Sequence, residues 1–278
     1  MANETSFNSI SALVKNILDG TVLQASEQTA VQSLVRQYTG EGLAPREFSA
    51  YTGGTIVSLS DISDLSSQTF TPSASGTLTP GIYAAQYYIT DARRMSDWNN
   101  VQADAALDLG TKLATKIDTS LVALFSSLTG GTVGSAGGTL TWANVQRAAA
   151  YIRANNAVGQ VSCVLRPEHW YYLTSASSGV PTLMQSPEWM NSLAANYYQG
   201  SWGGINFFTD SNITSGTAAV AAMFHQDAMA FDLRKPIGIE VQRDASRGGG
   251  GYELNASTWF GVAVYRPTFG VQMIGTSS

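Results

Sequence analysis

The sequence predicts an α+β fold in which one very long helix separates an extended, charge-poor hairpin from a compact mixed unit. Three observations predict it. First, Val101, Ala105, Leu109, Leu113, Ile117, Leu121, Leu124, Phe125 and Leu128 hold helical spacing as one apolar stripe. Second, after Arg46 and Glu47 the only charges before Asp91 are Asp61 and Asp64, in a Ser/Thr-rich stretch with strand formers near both ends. Third, beyond the glycine-rich segment GGTVGSAGG (130–138), short strand-like runs alternate with helical ones.

Taken in order, the chain opens with two short amphipathic helices. Ile10, Leu13, Val14, Ile17 and Leu18 repeat at helical spacing and stop at Gly20. Ser26 can cap the second helix, whose apolar face is Val31, Leu34, Val35 and Tyr38 and which Gly40 ends. Helices of about a dozen residues are marginal alone in water, so each needs a surface to dock on. That surface is either the chain's own domain or a neighbouring molecule. Residues 45–90 follow, with GTIVSLSDI (54–62) and GIYAAQYYIT (81–90) reading as strands around TFTPSASGTLTPG (69–81), which is full of turn residues. A connection this long with little core of its own is a candidate arm that needs contacts from a partner.

Ser96 is placed to cap the long helix, and Asp108 and Lys112 stand at i,i+4 spacing on it. About 32 residues at 1.5 Å rise give roughly 48 Å. The segment 130–138 ends the helix as a flexible joint and is the best internal boundary. Thr141 or Asn144 then starts a helix through Val145, Ala148, Ala149 and Ile152. A strand at Gln160–Leu165 precedes a helix in which Pro167 occupies the first turn. Strands follow at Ile205–Thr209, Ala218–Phe224 and Ala228–Asp232. Two alternating strands close the chain, one through Ile237, Ile239 and Val241 and one through Phe260, Val262 and Val264, joined by a loose turn at Arg247 and Gly248–Gly251.

Composition excludes several function classes. The formal net charge is −5, from 15 basic and 20 acidic residues, which argues against a basic nucleic-acid clamp. Only 13% of residues are charged, about half the usual quarter, while there are 31 Ser, 26 Thr and 27 Gly. A free monomer normally keeps itself soluble with more surface charge, so part of this surface is expected to be covered. The hydrophobic share of 44% is ample for a core. No apolar run approaches the roughly 20 residues of a membrane helix, and the N-terminus lacks the pattern of a secretory signal. Cys163, the one cysteine, lies in an apolar run and reads as a buried structural thiol.

A catalytic constellation is not legible. The two histidines are His169 and His225. His169 adjoins Glu168, but neighbouring helical residues point about 100° apart and are poorly placed to form a base with its orienting carboxylate. His225 ends an apolar strand. The chain has no nucleophile elbow, P-loop, HExxH or CxxC motif. The segment Asp210–Gly216 faintly resembles a calcium loop, but its glycine is misplaced and the closing Glu is missing. Neither glycine run follows a strand and opens a helix in dinucleotide-binding register. No catalytic, cofactor-binding or metal-binding residues are therefore expected. The four lysines form no patch, and the densest basic spot, Arg93–Arg94, reads as an anchor between segments.

The order of elements, with four segments, resembles the major capsid protein of tailed bacteriophages, the Hong Kong phage-type capsid fold shared with encapsulin compartments. The segments are VLRPEHWYYL (164–173), GSWGGINFFTDSNIT (200–214), AAMFHQDAMAFDLRKPIGIEVQRD (221–244) and WFGVAVYRPTFGVQMIG (259–275). The likeness covers nearly the whole chain, and it rests on these segments falling in the right order after a long helix.

The resemblance implies an N-terminal arm (1–44), an extended β-hairpin loop (45–91), a peripheral domain with its spine helix (92–138), an axial domain (139–232) and returning peripheral strands (233–278). It also implies hexamers and pentamers of an icosahedral shell around packaged double-stranded DNA, held without sequence-specific contacts and with no membrane. The expected setting is a virion capsid assembled in the cytoplasm of a bacterial host. Some members cross-link subunits through a lysine on the extended loop; residues 45–91 contain none, so burial, arm exchange or a cement protein must stabilise the shell. With no room expected before the arm for a fused scaffolding segment, a separate scaffolding protein is expected, with a portal as a further partner. Candidate intersubunit contacts are Arg46, Phe48, Phe70, Pro72, Pro80, Arg93 and Arg94. The alternatives are an encapsulin-like compartment shell and, more remotely, a small hydrolase using His169 and a serine.

Overall fold

A computed structural model of the chain describes residues 30–51, 72–96, 101–175, 198–246 and 249–277, together with residues 56–59, 61, 64 and 67. The strands are β1 (Arg36–Thr39), β2 (Arg46–Tyr51), β3 (Pro72–Leu78), β4 (Gly81–Thr90), β5 (Thr132–Gly134), β6 (Val161–Leu165), β7 (Tyr198–Trp202), β8 (Ile205–Thr209), β9 (Ala219–His225), β10 (Met229–Asp244), β11 (Gly251–Val264) and β12 (Gly270–Gly275). The helices are α1 (Asp91–Ser96), α2 (Val101–Val122), α3 (Trp142–Ala154) and α4 (Pro167–Thr174). The expectation of an α+β fold holds.

Three sheets organise the molecule. One runs in the order β1-β10-β11-β4, the second in the order β5-β12-β9-β6-β8-β7, and the third is the hairpin β2-β3. In the second sheet, β6 lies between β8, parallel to it, and β9, antiparallel to it. Its residues Cys163, Val164 and Leu165 are fully buried, as a strand covered on both faces requires. Trp142 of α3 donates its indole N–H to the Leu173 carbonyl of α4 at 2.8 Å. Trp142 and Trp170 both pack on Phe207 of β8.

The helix α2 joins the two large sheets. Leu109 and Leu113 lie with Ile89 of β4, Ile239 of β10 and Leu254 and Ala256 of β11. A turn or two later, Ile117 and Leu121 enter the larger core with Phe224, Phe231 and Phe260. The expected stripe is therefore buried from Leu109 to Leu121 and half-buried at Val101 and Ala105, on a described helix of 22 residues, about 33 Å. After Val122 the chain tightens into a 3-10 turn, Ala123–Ser127, whose Phe125 packs against Phe224 with ring centroids 5.7 Å apart. Ser96 does not cap this helix. It ends α1, where its hydroxyl donates back to the Ala92 and Arg93 carbonyls.

Other expectations need correction. The second N-terminal helix is, where described, a single 3-10 turn (Gln32–Leu34) followed by β1, which pairs in parallel with β10. Val31 and Val35 are fully buried as expected, but the backbone bonds offered by the open edge of β10 outweigh a marginal short helix. The first helix, around Ile10–Leu18, lies outside the described residues. Ile56–Leu59, expected within a strand, is not in one, whereas Pro72–Leu78, expected as turn, pairs with β2. The Gln226–Ala228 turn leads directly into β10, which runs from Met229 past the expected end at Asp232 to Asp244 and is broken in register around Pro236.

The glycine segment is not a loose joint. Thr132–Gly134 pairs in parallel with β12, and the Gly130 N–H donates to Gly270 O at 2.8 Å. A Cβ on Gly134, whose φ is +80°, would stand 2.1 Å from the Ile274 carbonyl oxygen, so only glycine fits here. The strand β12 itself is unanticipated. It pairs with β9 in the six-stranded sheet, away from β10 and β11 with which the sequence groups it.

Candidate assembly surface

The hairpin β2-β3 is rooted on the four-stranded sheet by a charge cluster. Asp232 of β10 is fully buried. Its Oδ2 receives the Arg234 guanidinium at 2.7 Å and that of Arg46 at 3.4 Å. Arg234 also donates to the Glu41 carbonyl at 2.9 Å and the Ala44 carbonyl at 3.3 Å, while Arg46 donates to the Thr39 carbonyl at 3.0 Å. The segment between β1 and β2 is thus held by two guanidiniums that share one buried carboxylate. A Cβ at Gly40 would stand 2.8 Å from the Arg234 guanidinium and would push it aside.

A small apolar cluster sits beside the clamp. Phe48 lies between Tyr38 and Tyr265, with ring centroids 5.6 and 4.9 Å away. Leu78 is fully buried, and a Cβ on Gly261 would stand 2.5 Å from it. Later in the same connection Ile56 is 98% exposed, Val57 52% and Leu59 47%. Exposed aliphatic side chains this close together, in a stretch with only two charges, are the composition of a contact surface.

The expected contact residues divide accordingly. Arg46 and Phe48 are spent within their own chain, on Asp232 and on the two tyrosines. Pro80 is buried against Gly261. Pro72 opens β3, opposite Tyr51. Phe70 lies outside the described residues. Arg93 and Arg94 sit on α1, where Arg94 is 4.0 Å from Asp91 and over the Tyr252 ring at 4.9 Å. Arg243 reaches the same Asp91 at 3.3 Å, so α1 is tied to the far end of β10 and β11. Sequence reasoning missed Asp232, Arg234 and the exposed trio. The i,i+2 spacing of Asp232 and Arg234 on one strand face was the available signal.

Along α2, Lys112 pairs with Asp108 at 2.8 Å as the spacing predicts, and Tyr87 of β4 bonds to both. These bonds, with Lys112 first and Tyr87 second, hold the Asp108 carboxyl below its ordinary range, and those from Asp108 and then Tyr87 push Lys112 up.

The residues considered for chemistry are placed against it. His169 is fully buried, with Nε2 3.3 Å from the Gly275 carbonyl oxygen, and burial pushes its pKa down. Glu168 is paired with Arg166 at 2.7 Å. The Cys163 thiol is buried beside Met273 Sδ at 3.7 Å and its pKa is pushed far up by burial. Among the described residues no cluster of His, Cys, Asp and Glu is arranged to hold a metal ion, and no helix is long and apolar enough to cross a membrane.

The family model for phage capsid protein matches residues 75–273. Solved structures share the fold. A chain of Mycobacterium phage Che8 is 18% identical, with a TM-score of 0.72 over 88% of this chain and 91% of that one. The capsid of Ralstonia phage GP4 is 10% identical, with a TM-score of 0.71 over 91% and 92%. The virus-like particle from Pyrococcus furiosus is 11% identical, with a TM-score of 0.58 over 94% and 99%. No curated protein matches the sequence.

Proposed function

The chain belongs to the phage capsid protein family and is a structural major capsid protein, and from that premise we propose that its copies form the hexamers and pentamers of an icosahedral shell around the double-stranded DNA of a tailed phage. The observation that carries the reading is the hairpin. Its root is fixed by the Asp232 clamp, while Ile56, Val57 and Leu59 beyond it are exposed. A neighbouring copy is the natural cover for those side chains. Burying 1,000 Å² of apolar surface is worth roughly 25 kcal/mol before the costs of association, enough for a lattice without covalent cross-links.

The family is structural and non-enzymatic, and the burial of His169 with the pairing of Glu168 leaves the hydrolase reading no site. DNA is held without base-specific contacts, since a chain of net charge −5 avoids gripping phosphate tightly. A separate scaffolding protein, a portal and a cement protein are the further partners, and assembly takes place in the cytoplasm of a bacterial host. The candidate contacts with neighbouring copies are Arg46, Phe48, Phe70, Pro72, Pro80, Arg93 and Arg94, of which Arg93 and Arg94 lie exposed on α1.

Negative-stain microscopy and sedimentation of the expressed chain test this reading. Particles tens of nanometres across, protecting DNA from nuclease, are expected. A protein cargo in place of DNA would favour a compartment shell, and 29.5 kDa monomers at every concentration would refute assembly altogether.

A further inference from the structure

Where α2 meets the loop after β8, two buried carboxyl groups accept hydrogen bonds from the same residue, Asn212. Asp118 of α2 is 0% exposed and Asp210, directly after β8, is 1% exposed. Asp118 Oδ1 accepts the Val31 N–H at 3.1 Å, and its Oδ2 accepts from the Asn212 side-chain amide at 2.9 Å. Asp210 Oδ1 accepts the Asn212 N–H at 2.8 Å, while its own N–H donates to Leu165 O at 2.8 Å. Asp210 Oδ2 is buried with no hydrogen-bond donor among the described residues, and the carboxyl group interacts with that of Asp118.

Among the described residues the surroundings supply no compensating charge. The segment at Ala30–Val31 contributes backbone only, and the loop after β8 contributes the uncharged Asn212. Arg166, before α4, grips this loop through the Ser211 and Ile213 carbonyls and is paired with Glu168. Among the described residues, neither Asp118 nor Asp210 is ion-paired with a lysine, arginine or histidine.

We propose that Asp118 and Asp210 share one proton, and that this proton latches together three segments: α2, the 210–213 loop and the segment around Val31 that leads into β1. Two adjacent carboxylates in a dry site with only neutral donors cannot both ionise at low cost. Protonating one turns repulsion into a hydrogen bond and gives the orphaned oxygen a role. The Asp210 pKa is accordingly raised, by burial first and by the neighbouring Asp118 second. A carboxyl raised in the folded state keeps a proton that the unfolded chain releases near pH 4. Its stabilisation is therefore full below that value and is lost as pH rises toward the folded-state pKa. The latch opens with alkali, in the joint through which α2 meets the six-stranded sheet. It does not depend on the capsid reading.

The test is thermal unfolding of the full chain from about pH 7 to about pH 9, above the His169 titration, for wild type, Asp210→Asn and Asp118→Asn. The wild-type midpoint is expected to fall with rising pH. Asp210→Asn, whose amide can donate as the shared proton does, is expected to flatten that slope. A parallel slope in both would overturn the latch. Two readouts on the wild type stand even if a variant fails to fold. Infrared spectra at neutral pH should contain a protonated carboxylic acid band that disappears in alkali. Protection of the Val31 and Asn212 amides, corrected for intrinsic exchange, should fall by up to about tenfold per pH unit between about pH 4 and the folded-state titration and level off above it, as release of one linked proton on opening requires. Absence of the band at neutral pH, or protection that does not vary with pH, would refute the proposal.

Discussion

The six-stranded unit and the β2-β3 hairpin solve opposite problems with the same chain. In the first, Phe207, Phe224, Leu165 and Met273 are fully buried in one continuous core, and even His169 and Cys163 are sealed inside. In the second, the described core is Phe48, Leu78 and Ala230, and the position of the arm is fixed instead by two guanidiniums on Asp232. The difference teaches that packing holds the body together, while a directional charge clamp aims the arm and leaves its apolar side chains available to another molecule.

Breaking the body should have the largest effect. Phe224→Ala removes a fully buried ring that packs on Phe125, and is expected to cost about 3–5 kcal/mol in denaturant unfolding. If the loss were under about 1 kcal/mol, the body would not be the rigid partner in the comparison. Asp232→Ala comes next. It strands the Arg234 guanidinium, 7% exposed, and is expected to cost about 3 kcal/mol, less than a fully enclosed pair because Arg46 is 35% exposed. Proteolysis between β1 and β2 should accelerate in that variant before cleavage elsewhere does, and uniform acceleration would deny the clamp its local role.

A pH measurement sharpens the contrast. Burial depresses the His169 pKa, so the unfolded chain binds a proton that the folded chain refuses. Stability contributed by neutral His169 is present above about pH 6.5 and is lost as pH falls below it. Below that value the unfolding midpoint of wild type should drop progressively relative to that of His169→Asn, the difference being the readout because the aspartate pair acts on both. An identical acid slope in both would place the titration elsewhere. The smallest effect on folding is expected at the arm. Ile56→Ser and Val57→Ser should change stability by less than about 0.5 kcal/mol, since both side chains are exposed, yet reduce particle yield. Normal particles from the double variant would show that these residues are not contacts.

The limits of legibility follow particular residues. The stripe on α2, the capping position before Trp142, Pro167 in the first turn of α4 and β8 at Ile205–Thr209 were all readable, because each is fixed by period or by local backbone chemistry. The identity of β1 was not, since Val31, Leu34, Val35 and Tyr38 satisfy a helical face and the edge of β10 decides otherwise. The same holds for β3, whose Ser, Ala and Gly residues carry no strand signal and are ordered by pairing with β2. At the candidate surface, the lack of charge was visible in composition, but its root was not. Arg46 and Arg234 converge on Asp232 only because strands distant in sequence are brought side by side.

By itself, then, the sequence determined the mixed fold class, the buried helix, the charge-poor arm and the absence of a readable catalytic motif, all of which depend on local periodicity and composition. Only the tertiary structure decided that the glycine segment is a packed strand, that the last strand returns to the six-stranded sheet, and that Asp118 meets Asp210. Those outcomes depend on which backbone edges and which buried charges meet across the fold, and hydrogen bonds between remote strands leave no period in the sequence that forms them.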